Sequence, residues 1–247
     1  MKSLDLAPDA RVVFLTGAGV SVASGLRPYR GPGGLWNEVD VERWVTASAM
    51  ARDPAGCWRA HREFARHVAA AAPNPAHTCL AAFAGTRPAG SVIVITQNVD
   101  SLHQRAGSQD VIEIHGSLGR IRCADERCAA RAFAPEAATA GDEPPPCPRC
   151  FGPMRYDIVL FDEYLSPADE RAARTALREA DVFIAAGTSG VVFPAAAYVR
   201  EADYAGARTV FVNLEAPSPP NPYFHDVLLG RAEEVLPTLL DVKMSTD

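Results

Sequence analysis

Four cysteines lie where metal chemistry would need them. Cys123-x4-Cys128, an 18-residue gap and then Cys147-x2-Cys150 form two knuckles. That is close to the spacing of a four-thiolate zinc site, with the first knuckle at the wide end of the range. Four thiolates leave no open coordination position, so a single Zn2+ held here is expected to be structural rather than catalytic. Cys57 and Cys79 stand alone in helical-looking stretches and read as small buried hydrophobes. A second chemistry is marked by glycines. The stretch "RVVFLTGAGVSVASGLRPYRG" (residues 11–31) runs from apolar residues into Gly17, Ala18 and Gly19. Backbone N–H groups delivered in this way can approach a pyrophosphate, helped by the potential of a following helix. The match to G-x-G-x-x-G is incomplete, because Val22 stands at the third glycine. No convincing acidic ribose partner follows about 20 residues on, and "NLE" (213–215) offers a different adenosine-ribose contact.

Three further groups follow apolar runs. "TQNVDSLHQRAG" (96–107) presents Gln97, Asn98 and Asp100; read alone, it is equally an Asn/Asp turn capping a helix that starts near Ser101. His115 in "EIHGSL" ends another run. A lone histidine is often structural, but its ordinary pKa near neutrality suits a general base beside a nucleotide site. "AAGTSG" supplies Gly187, Thr188 and Ser189, either a capped turn or a second cradle of backbone and hydroxyls.

The elements that must position these residues follow from the hydrophobic pattern. Six β-rich runs are "RVVFLT" (11–16), "SVIVIT" (91–96), "VIEIH" (111–115), "IVLF" (158–161), "DVFIAA" (181–186) and "RTVFVN" (208–213). Most are continuously apolar, as in strands covered on both faces. Ala-rich amphipathic stretches such as "PADERAARTALREA" lie between several of them. The alternation predicts an α/β fold with a doubly wound parallel sheet, whose ligands bind at the carboxyl ends of the strands. Residues 37–87 are too long for a plain crossover and read as a helical insert; residues 119–157, with the cysteines and "GDEPPPCPRC", are too irregular for the sheet. The sheet domain is thus expected from 1–36, 88–118 and 158–247, and the two inserts form a small domain. The 247 residues carry a net charge of -6, which argues against binding nucleic acid through phosphates. No signal peptide or apolar run near membrane-spanning length is visible, so a cytoplasmic enzyme without a membrane partner is expected.

Together these pieces resemble the sirtuin family, the NAD-dependent protein lysine deacylases. "GAGVSVASGLRPYRG" is similar to the family's G-A-G-x-S-x-x-S-G-I-P-x-F-R, "TQNVDSLHQRAG" to T-Q-N-I-D-x-L-H-x-x-A-G, and "IHGS" to its catalytic histidine motif. "GTSGVVFPAAAYV", "NLE" and the four cysteines also match, over residues 11–237. The overall pattern looks most like the bacterial class that includes desuccinylating members. The resemblance implies a Rossmann-like domain for NAD, a zinc-ribbon and helical small domain, and an acylated lysine of a protein bound between them. It assigns Gly17, Ala18, Gly19 and Ser21 to the diphosphate, and Tyr29, Arg30 and Trp36 to the cofactor loop. Gln97, Asn98 and Asp100 fall at the nicotinamide ribose and its pocket. Gly187, Thr188, Ser189, Asn213, Glu215 and Ala232 fall on the adenosine side. His115 would be the base and Asn98 its catalytic companion. The products implied are free lysine, nicotinamide and acyl-ADP-ribose; mono-ADP-ribosyl transfer or NAD hydrolysis is the alternative on the same geometry.

Three departures stand out. Tyr29 replaces the usual Phe, and Asp162 in "IVLFDEYL" replaces a glycine on the edge where substrate backbone is expected, next to Val159 and Phe161. In "WRAHREFARH", His61 and Phe64 occupy the places of the Tyr and Arg that grip an acyl carboxylate in desuccinylating members. That substitution implies a preference for neutral acyl groups.

Overall fold

The computed structural model describes residues 3–28, 34, 41–128, 130, 141–190 and 194–243. Its main layer is a six-stranded parallel sheet. The strands are β1 (Val12–Thr16), β2 (Val92–Thr96), β3 (Val111–Glu113), β6 (Val182–Ala186), β7 (Arg208–Asn213) and β8 (Asp226–Leu229). They lie side by side in the order β3-β2-β1-β6-β7-β8. The chain winds outward in both directions from the β1/β6 boundary, so the crevice of this doubly wound sheet opens there.

Alternate residues of each strand go to opposite faces, and in β1, β2, β6 and β7 both faces are covered. Val12, Phe14, Val94, Ile184 and Val212 meet helices α3 (Pro75–Gly85) and α7 (Ala232–Leu239). Val13, Leu15, Ile95, Phe183 and Phe211 meet α5 (Pro167–Arg178) and α6 (Tyr198–Tyr204). Each large apolar side chain fully buried in this way contributes about 1.5–3 kcal/mol, which accounts for the continuous apolar runs seen in the sequence. A short helix, α4 (Leu102–Arg105), follows β2.

A third cluster is built from α1 (Ala47–Arg52), α2 (Pro54–Ala70) and an antiparallel pair, β4 (Gly116–Cys123) with β5 (Met154–Ile158). Trp58 stacks on Tyr156 at 5.0 Å between ring centroids. Helix α2 starts cleanly because Asp53 accepts the Gly56 N–H at 2.8 Å and Pro54 has no N–H that would need an acceptor. Of the segment expected as the helical insert, α1 and α2 pack in this cluster, whereas α3 packs on the main sheet.

Two strand expectations are corrected. "IVLF" does not form a strand of the main sheet: the strand ends at Ile158, runs antiparallel to β4, and leaves Phe161 in an isolated bridge with Thr46. Its apolar residues are covered by the third cluster instead, where Ile158 and Leu160 are buried. The sixth strand is β8, whose Val227 and Leu229 are exposed at the sheet edge, so no buried run announces it. No helix among the described residues is long and apolar enough to cross a membrane.

Candidate active site

Strand register builds the site. Thr16 lies level with Thr96 on one side and with Ala186 on the other, and Ala186 lies level with Val212. The next residues along each strand, Gly17, Gln97, Gly187 and Asn213, therefore form one row across the carboxyl edge. Their bonds run from strand to strand. Gln97 Nε2 donates to Thr188 Oγ1 at 2.8 Å, and Asn213 Nδ2 donates to the Thr188 carbonyl at 3.1 Å. The Gly17 N–H goes to Ala186 O and the Gly19 N–H to Gly187 O, at 3.1 and 2.8 Å. A Cβ on Gly19 would stand 2.7 Å from Gly187 Cα, and one on Gly17 2.9 Å from Thr188 Cβ. The bare backbone after β1 thus lets two loops touch. Two of the amides expected at a pyrophosphate already have acceptors within the protein.

Beneath this row is a buried polar chain. Asn98 Nδ2 donates to Gly17 O and to Ser21 Oγ, both at 3.1 Å. Ser21 Oγ donates to Asp100 Oδ2 at 2.7 Å, and Asp100 Oδ1 accepts the Leu102 N–H at 2.9 Å. Burial raises the Asp100 carboxyl above the usual carboxylate range, partly offset by these two donors. The sequence did not point to two histidines in the same chain. His77 accepts the Asn74 N–H on Nδ1 at 3.3 Å, so its Nε2 carries the proton facing Ser21, 3.4 Å away. His103 Nε2 bonds Thr16 Oγ1 at 2.9 Å, and the two imidazoles lie 4.8 Å apart. Burial lowers His77 to about 4 and His103 to about 3, keeping both neutral. The available signal was their place in "NPAH", where Asn74 caps α3, and in "DSLH".

His115 lies between β3 and β4, half-buried. Its Nδ1 is 2.9 Å from the Gln97 carbonyl, which can only accept, so the proton is on Nδ1 and the lone pair on Nε2. Burial lowers its pKa and the bond to Gln97 partly restores it. His115 is thus brought onto Gln97, 18 residues away in sequence and next to Asn98. Ser189 and Glu215 are exposed on the β6 and β7 loops, and Ala232 opens α7. Tyr29, Arg30 and Trp36 lie outside the described residues.

Val159 adjoins the histidine, its N–H bonded to His115 O at 2.9 Å, and Phe161 pairs with Val45 and Ala47. His61 is buried in the third cluster, edge-on to Tyr156 at 6.4 Å, and Phe64 packs against the same cluster. Desolvation and nearby Arg155 lower His61 to about 4. The four thiol sulfurs of Cys123, Cys128, Cys147 and Cys150 all lie within 4.8 Å of one another. Cys123 and Cys150 are 3.5 Å apart, Cys128 and Cys147 3.8 Å. Sulfurs about 2.3 Å from a tetrahedral zinc would be separated by roughly 3.8 Å, so this donor set fits one Zn2+.

Residues 17–194 match the family model described as "Sir2 family". The chain is 43% identical over 238 residues to NAD-dependent protein deacylase 2 of Pyrobaculum aerophilum, covering 96% of this chain and 92% of that one. It is 42% identical over 240 residues to NAD-dependent protein deacylase 1 of Pseudomonas aeruginosa, covering 95% of each. A crystal structure of a Sir2 homolog in complex with NAD superposes with a TM-score of 0.83 at 37% identity, over 94% of this chain and 88% of that one. Both the sequence and the arrangement it folds into carry the same assignment: the chain belongs to the Sir2 family.

Proposed function

We propose that this chain is an NAD-dependent protein deacylase that takes acylated lysine side chains of proteins as substrate. The observation that carries the reading is the His115 imidazole. Its Nδ1 proton is committed to Gln97, and its Nε2 lone pair remains available beside the loop that carries Asn98. NAD as co-substrate would supply an electrophilic ribose carbon with nicotinamide as leaving group. Gln97 and Asn98 would hold the nicotinamide ribose, with Asp100 below them. His115 Nε2 would accept a proton from a ribose hydroxyl, a role favoured by a lowered pKa that keeps the ring neutral. Gly17, Ala18, Gly19 and Ser21, with Arg30, would bound the diphosphate; Gly187, Thr188, Ser189, Asn213, Glu215 and Ala232 would line the adenosine side. Tyr29 and Trp36 would complete the cofactor loop. Four thiolates would hold one structural Zn2+.

The acyl group would be neutral. Every arginine of α2 is already engaged elsewhere: Arg59 with Glu143 at 3.5 Å, Arg62 with Gly141 O and Asp142, and Arg66 with Glu63 at 3.6 Å. Beside Val159 and Phe161, a succinyl carboxylate would find no uncommitted arginine on α2, a loss of about 1.5–3 kcal/mol. The test is incubation with NAD and acetylated, succinylated or long-chain acyl-lysine peptides, followed by mass spectrometry. Free lysine from the acetyl peptide, at least about tenfold faster than from the succinyl peptide, is expected. No free lysine from any peptide would sink the proposal, and nicotinamide release without peptide change would favour NAD hydrolysis.

A further inference from the structure

The loop holding Asn98 and the segment holding His115 are joined by bonds among Ser101, Glu113, Ser117 and Arg120. Ser101 sits at φ 55, ψ 21, a left-handed conformation that costs a non-glycine residue about 1–2 kcal/mol. It is kept there by its side chain, which donates to Glu113 Oε1 at 3.1 Å and meets Ser117 Oγ at 2.8 Å. The second Glu113 oxygen takes Arg120 Nη1 at 2.6 Å, and Arg120 Nε reaches Asp157 at 3.1 Å. Glu113 is itself well buried, its side chain 8% exposed. Arg120 reaches it because the β4/β5 register shifts between Ser117 and Ile121, a bulge that re-aims the side chain. The Leu118 N–H closes the same seam on Val99 O at 2.9 Å.

We infer that the Glu113/Arg120 ion pair, acting through Ser101 and Ser117, is a positioning clamp that sets the Gln97 carbonyl and hence the orientation of the His115 ring. Glu113 and Arg120 are positioning residues: neither is placed at the reacting atoms. The inference rests on the deacylase reading for its kinetic consequence, but its structural half can be read without turnover.

The test uses the full chain. In wild-type protein the His115 Nδ1 proton, assigned by its disappearance in His115→Asn, should give a protected NMR resonance. In Glu113→Gln that resonance should broaden or vanish. The kcat with acetyl-lysine peptide should fall about tenfold, while KM for NAD changes by less than about twofold. Arg120→Lys, which keeps one charged contact to Glu113, should retain most of kcat, and Arg120→Gln should not. An unchanged resonance with unchanged kcat overturns the clamp, as does a kcat loss that tracks KM and thermal stability in parallel. If Glu113→Gln does not fold, Ser101→Ala removes one hydroxyl of the same seam and must show the same resonance change at smaller amplitude; no change there also overturns it. Wild-type protein inactive on every acyl peptide would end the deacylase reading, and the NMR arm would still decide the clamp.

Discussion

Gly116 follows His115 at the point where β4 crosses β5, and replacing it with alanine separates two physical costs. Its φ is +76, and a Cβ there would overlap the Asp157 carbonyl oxygen and stand 2.9 Å from Asp157 C and 3.1 Å from Ile158 Cα. Gly90 has almost the same φ, +75, and a Cβ there would meet nothing within 4 Å. Gly90→Ala therefore reports the dihedral cost alone, about 1–2 kcal/mol less the roughly 0.4–1 kcal/mol regained from a stiffer unfolded chain. Gly116→Ala must in addition push β5 away. That breaks pairing at Gly116 with Ile158, at about 1 kcal/mol per hydrogen bond, and costs about 1–3 kcal/mol for repacking. The total is on the order of 3–5 kcal/mol, or roughly 6–20 °C in apparent Tm for a chain of this size. Gly90→Ala should shift Tm by only a few degrees. Turnover should fall by about 10²-fold in Gly116→Ala, since the shift displaces the neighbouring imidazole, and be unchanged in Gly90→Ala. Thermal unfolding and a deacylation assay on the two variants decide it. Equal stability and equal activity would refute the argument that the close crossing locates His115.

Acidification should destabilise the fold through buried histidines. His61, His77 and His103 are depressed to about 4, 4 and 3, so each stays neutral in the native state while its unfolded counterpart takes up a proton below about 6.5. Their stabilisation is complete above about pH 6.5 and is lost as pH falls towards 4, with a slope of up to about 1.4 kcal/mol per pH unit for each. Denaturant midpoints measured from about pH 7 to 4.5 should fall steeply, and less steeply in His103→Asn. Asp162, at φ +70, should be better replaced by glycine: Asp162→Gly is expected to raise Tm by a few degrees, corresponding to about 1 kcal/mol of relieved strain, with a calorimetric scan as the check. Elemental analysis should find about one zinc per chain; Cys147→Ser should lose it and unfold at lower temperature, while Cys57→Ser should keep it.

The residue types of the candidate site could be read from the chain because chemistry requires particular side chains at particular spacings. The cysteine knuckles, the glycines after β1, Asn98 and His115 all stand in local motifs, and β-rich runs announced five of the six sheet strands. Where signals were non-local, the reading was blind or misplaced. The run 158–161 is as apolar as a central strand, yet the strand it adjoins pairs with β4, on the far side of the cysteine-bearing segment. Strand β8 exposes Val227 and Leu229, so no buried pattern marks it. His77 and His103 look like ordinary helical residues until α3 is laid against β1 and β2.

Residue identity alone determined which groups are able to bind a metal, accept a proton or approach a phosphate closely. Only the tertiary structure decided which of them meet. Gly17 and Gly19 are small because the β6 loop lies against them, and His115 has a defined proton position because Gln97 faces it across 18 residues of chain. Contacts of that kind depend on strand order and register, which arise from burying two faces of a sheet at once and leave no trace in any single stretch of sequence.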